Sequence, residues 1–207
     1  MRIIFGIGNP GSRYQFNRHN VGFMFLDYFA DALSISFNPS KSEYYYSEGK
    51  LNNQRFSLIK PTTYVNNSGI AALQAIQNYK TELIDFLFVY DDLNLEFPDL
   101  RVRVGGGDGG HNGLNSAIYH LGSEDFPRLR FGIGNDFERG KMAEYVLEDF
   151  NEEELLQLKN TFEKGSLLLK EFIKGGVKSL LDANSIMSKD KNEKNLSTDS
   201  KSNPEKI

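Results

Sequence analysis

An α/β domain with a mixed, twisted sheet and helices on both faces is what this sequence predicts, on three observations. Short apolar runs alternate along the chain with stretches of helical spacing. The run Phe86-Leu87-Phe88-Val89-Tyr90 is apolar throughout, as in a strand covered on both sides. Two connections between strand-like runs are too short for crossovers, so the sheet is not purely parallel. At 207 residues, 39% hydrophobic and 13% aromatic, the chain suits one domain with a sizeable core.

The elements follow in order. Residues 2–7 form a buried strand that ends in the turn Gly8-Asn9-Pro10-Gly11. Val21, Phe25, Tyr28, Phe29 and Ala32 recur at helical spacing and predict a helix over 20–33. Tyr44-Tyr45-Tyr46 and Phe56-Ser57-Leu58-Ile59 predict two strands, the second stopped by Pro61. Ile70, Leu73, Ala75, Ile76 and Tyr79 predict a helix from about Ser68. The strand at 86–90 comes next, and then Arg101-Val102-Arg103-Val104, whose alternation marks a half-exposed strand. Leu114–Leu121 reads as a short helix closed by Gly122, with His120 a structural residue at its C-terminal end. Leu129–Ile133 is a further strand. Asn151-Glu152-Glu153-Glu154 is a capping box, and it opens a long amphipathic helix expected to stop at Gly175-Gly176.

Residues 183–207 contain no aromatic residue and are rich in Ser, Asn, Lys and Asp, which predicts a disordered tail after a domain of 1–182. The chain carries a net charge of −4, so any nucleic-acid contact must rest on a local basic patch. The absence of cysteine excludes disulfides, thiolate nucleophiles and Cys-ligated zinc, and it fits the cytoplasm. No signal peptide and no membrane span is read from the sequence. A monomer is expected because no coiled-coil seam is present.

Four polar clusters follow predicted strands: Gly8–Gly11, Lys60–Gly69, Asp91-Asp92, and the loop Gly105-Gly106-Gly107-Asp108-Gly109-Gly110-His111-Asn112-Gly113. Six glycines in nine residues cost ordering entropy, which implies a task such as close approach to an anion. In open α/β sheets such clusters meet beyond the carboxyl ends of the strands. Gly6-x-Gly8-x-x-Gly11 matches a dinucleotide fingerprint in letters only, since no helix follows at once and no acidic residue ends a second strand. His19 closes a polar loop, and Asp91 reaches the same rim. A histidine held by an aspartate is fixed in one tautomer and made more basic. With no cysteine and no GxSxG elbow the nucleophile is water. Three histidines at unsuitable spacings predict no metal site, and no cofactor is expected.

FGIGNPGSRYQFNRHNVG, KPTTYVNNSG, VYDDLNL, GGGDGGHNGL and RLRFGIGN, in this order and spacing, resemble the signature segments of bacterial-type peptidyl-tRNA hydrolases. The resemblance covers some 180 residues and leaves out only the tail. It implies hydrolysis of the ester joining a peptide to the 3′ ribose of tRNA, with His19 as general base, Asp91 orienting it, and Asn9 and Asn66 placing the peptide end. It also implies that His111 and Asn112 line the crevice, with Asn112 holding the water or the oxyanion. Tyr14 matches a site position, and Tyr64 stands where phenylalanine is common. Arg103 and Arg130 match positions that grip the 5′ phosphate, and Arg101, Arg128, Arg139 and Lys141 would extend that patch. Residues 136–150 would cover the crevice. Val65 stands where methionine is common and Asp108 where a second histidine is. The alternatives are a catalytically silent RNA-binding module of the same fold and a different ester or amide hydrolase. Loss of His19 or Asp91 would mark the first, and indifference to Arg103 and Arg130 the second.

Overall fold

The structure, a computed structural model, describes the backbone of residues 1–199 and the side chains through Lys189. Among the described residues seven strands form one sheet: β1 (Arg2–Gly6), β2 (Asn38–Pro39), β3 (Tyr44–Leu51), β4 (Gln54–Pro61), β5 (Phe86–Asp92), β6 (Leu100–Val104) and β7 (Pro127–Gly132). Their spatial order is β2-β3-β4-β1-β5-β7-β6. The central four, β4, β1, β5 and β7, are parallel, while β3 and β6 pair antiparallel at the flanks. The mixed sheet expected from connection lengths is therefore present.

Among the described residues five α-helices accompany the sheet: α1 (Val21–Ala32), α2 (Ser68–Tyr79), α3 (Asn112–Leu121), α4 (Met142–Val146) and α5 (Glu152–Asp199). Alternation along the central strands sends side chains to two cores. Ile4, Leu87, Val89, Leu129 and Phe131 meet Phe25 and Phe29 of α1 and Leu158, Phe162, Leu169 and Phe172 of α5. Ile3, Phe5, Phe86, Phe88 and Tyr90 meet Ala71, Ala72 and Ala75 of α2 and Leu114 and Ala117 of α3. Burial of a phenylalanine side chain stabilises by roughly 1.5–3 kcal/mol, and nine phenylalanines are among the largest fully buried side chains of the described residues. This double-sided core holds the parallel strand ends rigid.

The expected caps are present. Asn151 Oδ1 accepts from the Glu154 amide at 2.9 Å, and Glu154 Oε2 accepts from the Asn151 amide at 2.8 Å. Gly122 takes φ 65° at the end of α3, and His120 Nδ1 donates to the Ser116 carbonyl at 2.9 Å, a structural contact. The helix opened by the capping box ends where expected, at Gly176 with φ 69° and ψ −157°, and a second helical leg follows it through the polar stretch from 183 to Asp199. Ala183 and Met187, one turn apart, still pack on the core and carry the helix past the point where composition ends it. Residues 200–207 of that stretch lie outside the described residues.

Candidate active site

The ends of β1, β4, β5 and β7 share one rim, because these strands run parallel. Asn9, Val65-Asn66 and Asp91 therefore converge there by topology. His19 reaches the rim from the 3-10 turn Arg18–Asn20 that opens α1. Together with His111, Asn112 and the far loop they line a crevice of about 240 Å³.

The glycine loop arrives differently from its expected course. β6 runs antiparallel, so Val104 pairs with Pro127 at the opposite rim. From there the loop climbs along the sheet face to deliver His111 beside Asp91. The climb brings the main chain against side chains: Gly106 has φ 101°, and a Cβ there would lie 2.5 Å from Arg103 Nη2. Arg128 holds the loop, donating to the carbonyls of Gly107 at 2.7 Å and Glu124 at 3.0 Å and also to that of Gly106. It is 1% exposed. Arg128 is thus a clasp for the loop and not an extension of a surface patch, as the sequence suggested.

Asp91 is the hub of the buried polar contacts. Its Oδ1 lies 2.8 Å from His19 Nδ1 and 3.0 Å from His111 Nε2. Burial alone raises the Asp91 carboxyl, but the attraction and hydrogen bonds of the two histidines outweigh it and hold the group well below the carboxylate range. An ionised carboxylate only accepts, so both facing nitrogens carry protons. His19 is left with Nε2 as a free base. Burial pulls its imidazole down, yet the charge and hydrogen bond of Asp91 win and the net shift is upward. His111 Nδ1 accepts from the amides of Gly113 at 3.1 Å and Leu114 at 3.2 Å, capping α3. Both nitrogens of His111 are therefore engaged, and it serves Asp91 rather than water. Ligand atoms of His19, Asp91 and His111 lie within 4.8 Å of one another, a convergence that sequence spacing did not reveal. Their two N–H groups are already bound to Asp91.

Asn9 is set by a residue the sequence reading passed over. Asn20, 2% exposed, accepts from the Asn9 amide at 2.8 Å and donates Nδ2 to the Asn9 carbonyl at 2.9 Å. Asn9 Oδ1 accepts from the Val65 amide at 3.0 Å, which leaves Nδ2 as the donor toward the crevice. The signal for Asn20 was there: a polar residue wedged between His19 and an apolar helix start. Val65 acts through its backbone as well as its wall position. Asp108 accepts from Asn115 Nδ2 at 2.8 Å and from the Gly110 amide at 2.7 Å, and these two contacts, in that order, lower its carboxyl. It ties the loop to α3.

Tyr14 and Tyr64 meet edge to face, with centroids 6.3 Å apart, outside the crevice lining. The expected cover contributes Met142, Ala143, Val146 and Leu147 to the lining, and α4 settles its conformation as partly helical.

Arg103 and Arg130 line a second hollow of about 330 Å³ with Asn94, Arg128 and the loop. The antiparallel register sets Arg101 opposite Arg130 and Arg103 opposite Arg128, so four arginines share one sheet face. Arg130 is held by Asp92, whose Oδ2 is 2.6 Å from Nε. Arg101 lies 3.9 Å from Asp99, and Lys141 pairs with Glu144. Asp92, Asp108 and Gly109 line both the crevice and the hollow, so the two share a wall.

Comparisons with known proteins point to one family. Residues 3–194 match the family model described as peptidyl-tRNA hydrolase, which reaches past 182. A peptidyl-tRNA hydrolase of Bacillus cytotoxicus is 40% identical over 173 residues, 84% of this chain and 93% of the relative. One of Pseudothermotoga lettingae is 44% identical over 164 residues, 79% and 86% of the two chains. The crystal structure of peptidyl-tRNA hydrolase from Acinetobacter baumannii superposes with a TM-score of 0.82 at 30% identity, covering 89% of this chain and 94% of that one.

Proposed function

The chain belongs to the peptidyl-tRNA hydrolase family, and we propose that it cleaves the ester between peptide and tRNA with water activated by His19. The observation that carries this reading is the buried pair His19–Asp91 at 2.8 Å, facing a crevice in which the Asn9 amide is fixed as a donor.

His19 Nε2 takes a proton from water as the oxygen attacks the ester carbonyl. Asp91 stabilises the imidazolium that forms. Asn9 Nδ2 and Asn112 donate to the tetrahedral oxyanion in this reading, and one such donor is typically worth about 10²–10³ in rate. When the carbon–oxygen bond breaks, the imidazolium returns its proton to the 3′ oxygen of the ribose. Free tRNA and a peptide carboxylate leave. Asn66 offers an amide for the peptide backbone, a contact that tolerates any side-chain sequence. Tyr14 and Tyr64 form an aromatic rim for the segment leaving the crevice.

Arg103 and Arg130 grip the 5′ phosphate of the acceptor end, for which a guanidinium fork is suited. The protein works as a monomer in the cytoplasm, where its substrate is. Among the described residues no helix is long and apolar enough to cross a membrane. Residues 1–182 carry the catalytic machinery.

The test is hydrolysis of an N-blocked aminoacyl-tRNA, with unblocked aminoacyl-tRNA as control and His19→Ala beside the wild type. Cleavage of the blocked substrate alone, abolished by His19→Ala, is the expected result. A folded wild type that binds tRNA without cleaving it would return the silent binding module to the front.

A further inference from the structure

Arg18 directly precedes His19 in the same 3-10 turn and does not line the crevice. Its side chain is 10% exposed, and Nη1 donates to Glu154 Oε1 at 2.8 Å. The guanidinium stands 4.7 Å from the Tyr145 ring centroid and 5.1 Å from that of Phe150. Main-chain bonds run alongside: the Arg18 amide donates to the Glu148 carbonyl and the Phe150 amide to the Phe16 carbonyl, each at 2.9 Å. Asn17 Nδ2 donates to Asp149 Oδ1 at 2.5 Å.

Each of these partners belongs to the cover or its exit. Tyr145 lies in α4, whose neighbours Met142, Ala143, Val146 and Leu147 wall the crevice. Glu154 is the capping-box glutamate of α5, with its other oxygen on the Asn151 amide. The carboxylate facing Arg18 is thus anchored independently of it. A buried ion pair is a poor source of stability compared with apolar packing, and here Arg18 Nε is left without a partner. Its position explains its presence better than its energy does.

We propose that Arg18 is a positioning residue that latches the α4 cover to the turn carrying His19, so that walling the crevice and placing the base are one event. The inference rests on the hydrolytic reading of the crevice. Because Arg18, His19 and Asn20 share one turn, unseating the guanidinium shifts both the base and the clasp on Asn9. A displacement of about 1 Å at a reacting group can cost about 10² in rate.

The experiment compares wild type with Arg18→Gln, Arg18→Lys, Glu154→Gln and Tyr145→Leu. Glu154→Gln preserves the cap, which glutamine also serves, while removing the charge. Amide exchange is read across 142–147 and 86–92, and hydrolysis of N-blocked aminoacyl-tRNA is followed well below each variant's Tm. The expected result is faster exchange in 142–147 alone, a raised KM, and kcat/KM lower by roughly 10–10². The acid limb of the pH profile stays in place, and Arg18→Lys recovers part of the loss. Unchanged exchange in 142–147, or an equal rise in 86–92, overturns the latch. Exchange needs no turnover, so a wild type without hydrolase activity would sink the functional reading while the latch was still decided.

Discussion

Asp91 and Asp92 are consecutive in β5 yet work on opposite faces of the sheet. Asp91 holds His19 at 2.8 Å, while Asp92 holds Arg130 at 2.6 Å. Strand alternation alone produces this division. One strand end thereby joins the holder of the proposed base to the holder of the arginine proposed for the phosphate, with a single peptide bond between them.

Asp91→Asn should lower kcat/KM by about 10²–10⁴, the usual range for a general-base system. His19 must be unprotonated to act, and its raised pKa puts the acid limb above about 6.5. Loss of the Asp91 charge should move that limb downward. A pH–rate profile of wild type and variant checks both claims, and an unmoved limb would remove Asp91 from its role.

The same contact predicts how stability varies with pH. The folded-state pKa of Asp91 is lowered, so its contribution is present above about 3.9 and lost as pH falls through the folded value. That of His19 is raised, so its contribution is present below about 6.5 and lost as pH rises through the folded value. Denaturant titration should therefore show the largest gap between wild type and Asp91→Asn between about pH 4 and 6.5. A gap of constant size from acid to alkaline pH would count against the pair.

His111 has two tasks that substitution separates. Asn is a good N-cap but too short for Asp91, so His111→Asn should keep the cap of α3 while lowering the rate. His111→Ala should lower the rate similarly and lose about 1 kcal/mol more stability. Equal stability of the two variants, measured by urea unfolding, would show that the cap is not important there.

Arg103→Glu should raise the KM for tRNA substrates and reduce the slope of log affinity against log salt by about 1. A small N-blocked aminoacyl ester lacking the 5′ phosphate should be cleaved as by wild type. Equal loss on both substrates would mean that Arg103 supports the crevice and not the RNA.

Most of the fold was legible because its signals are local: apolar runs for β1 and β5, helical spacing for α1 and α2, and the capping box of α5. The His19–Asp91 pair was legible because both residues end predicted elements on a common rim. What stayed hidden depends on direction. The letters of Arg101–Val104 do not say that β6 runs antiparallel, so they hide that the glycine loop starts at the opposite rim and climbs to the one where His111 is expected. For the same reason Arg128 looked like a surface cation until the register of β7 turned it onto the loop's carbonyls. Asn20 and Arg18 were overlooked because their partners, Asn9 and Glu154, lie 11 and 136 residues away in sequence.

The climb of the glycine loop makes its length a ruler. β7 rises about 17 Å from Pro127 to Gly132 at roughly 3.3 Å per residue. The seven residues 105–111 must cover that height, and their fully extended reach is only about 23–25 Å. Turns within the loop use up much of the difference. Deleting two glycines would cut the extended reach to about 17–18 Å and leave no slack for the turns that seat His111 beside Asp91, whereas a glycine linker of the same composition would tolerate the loss.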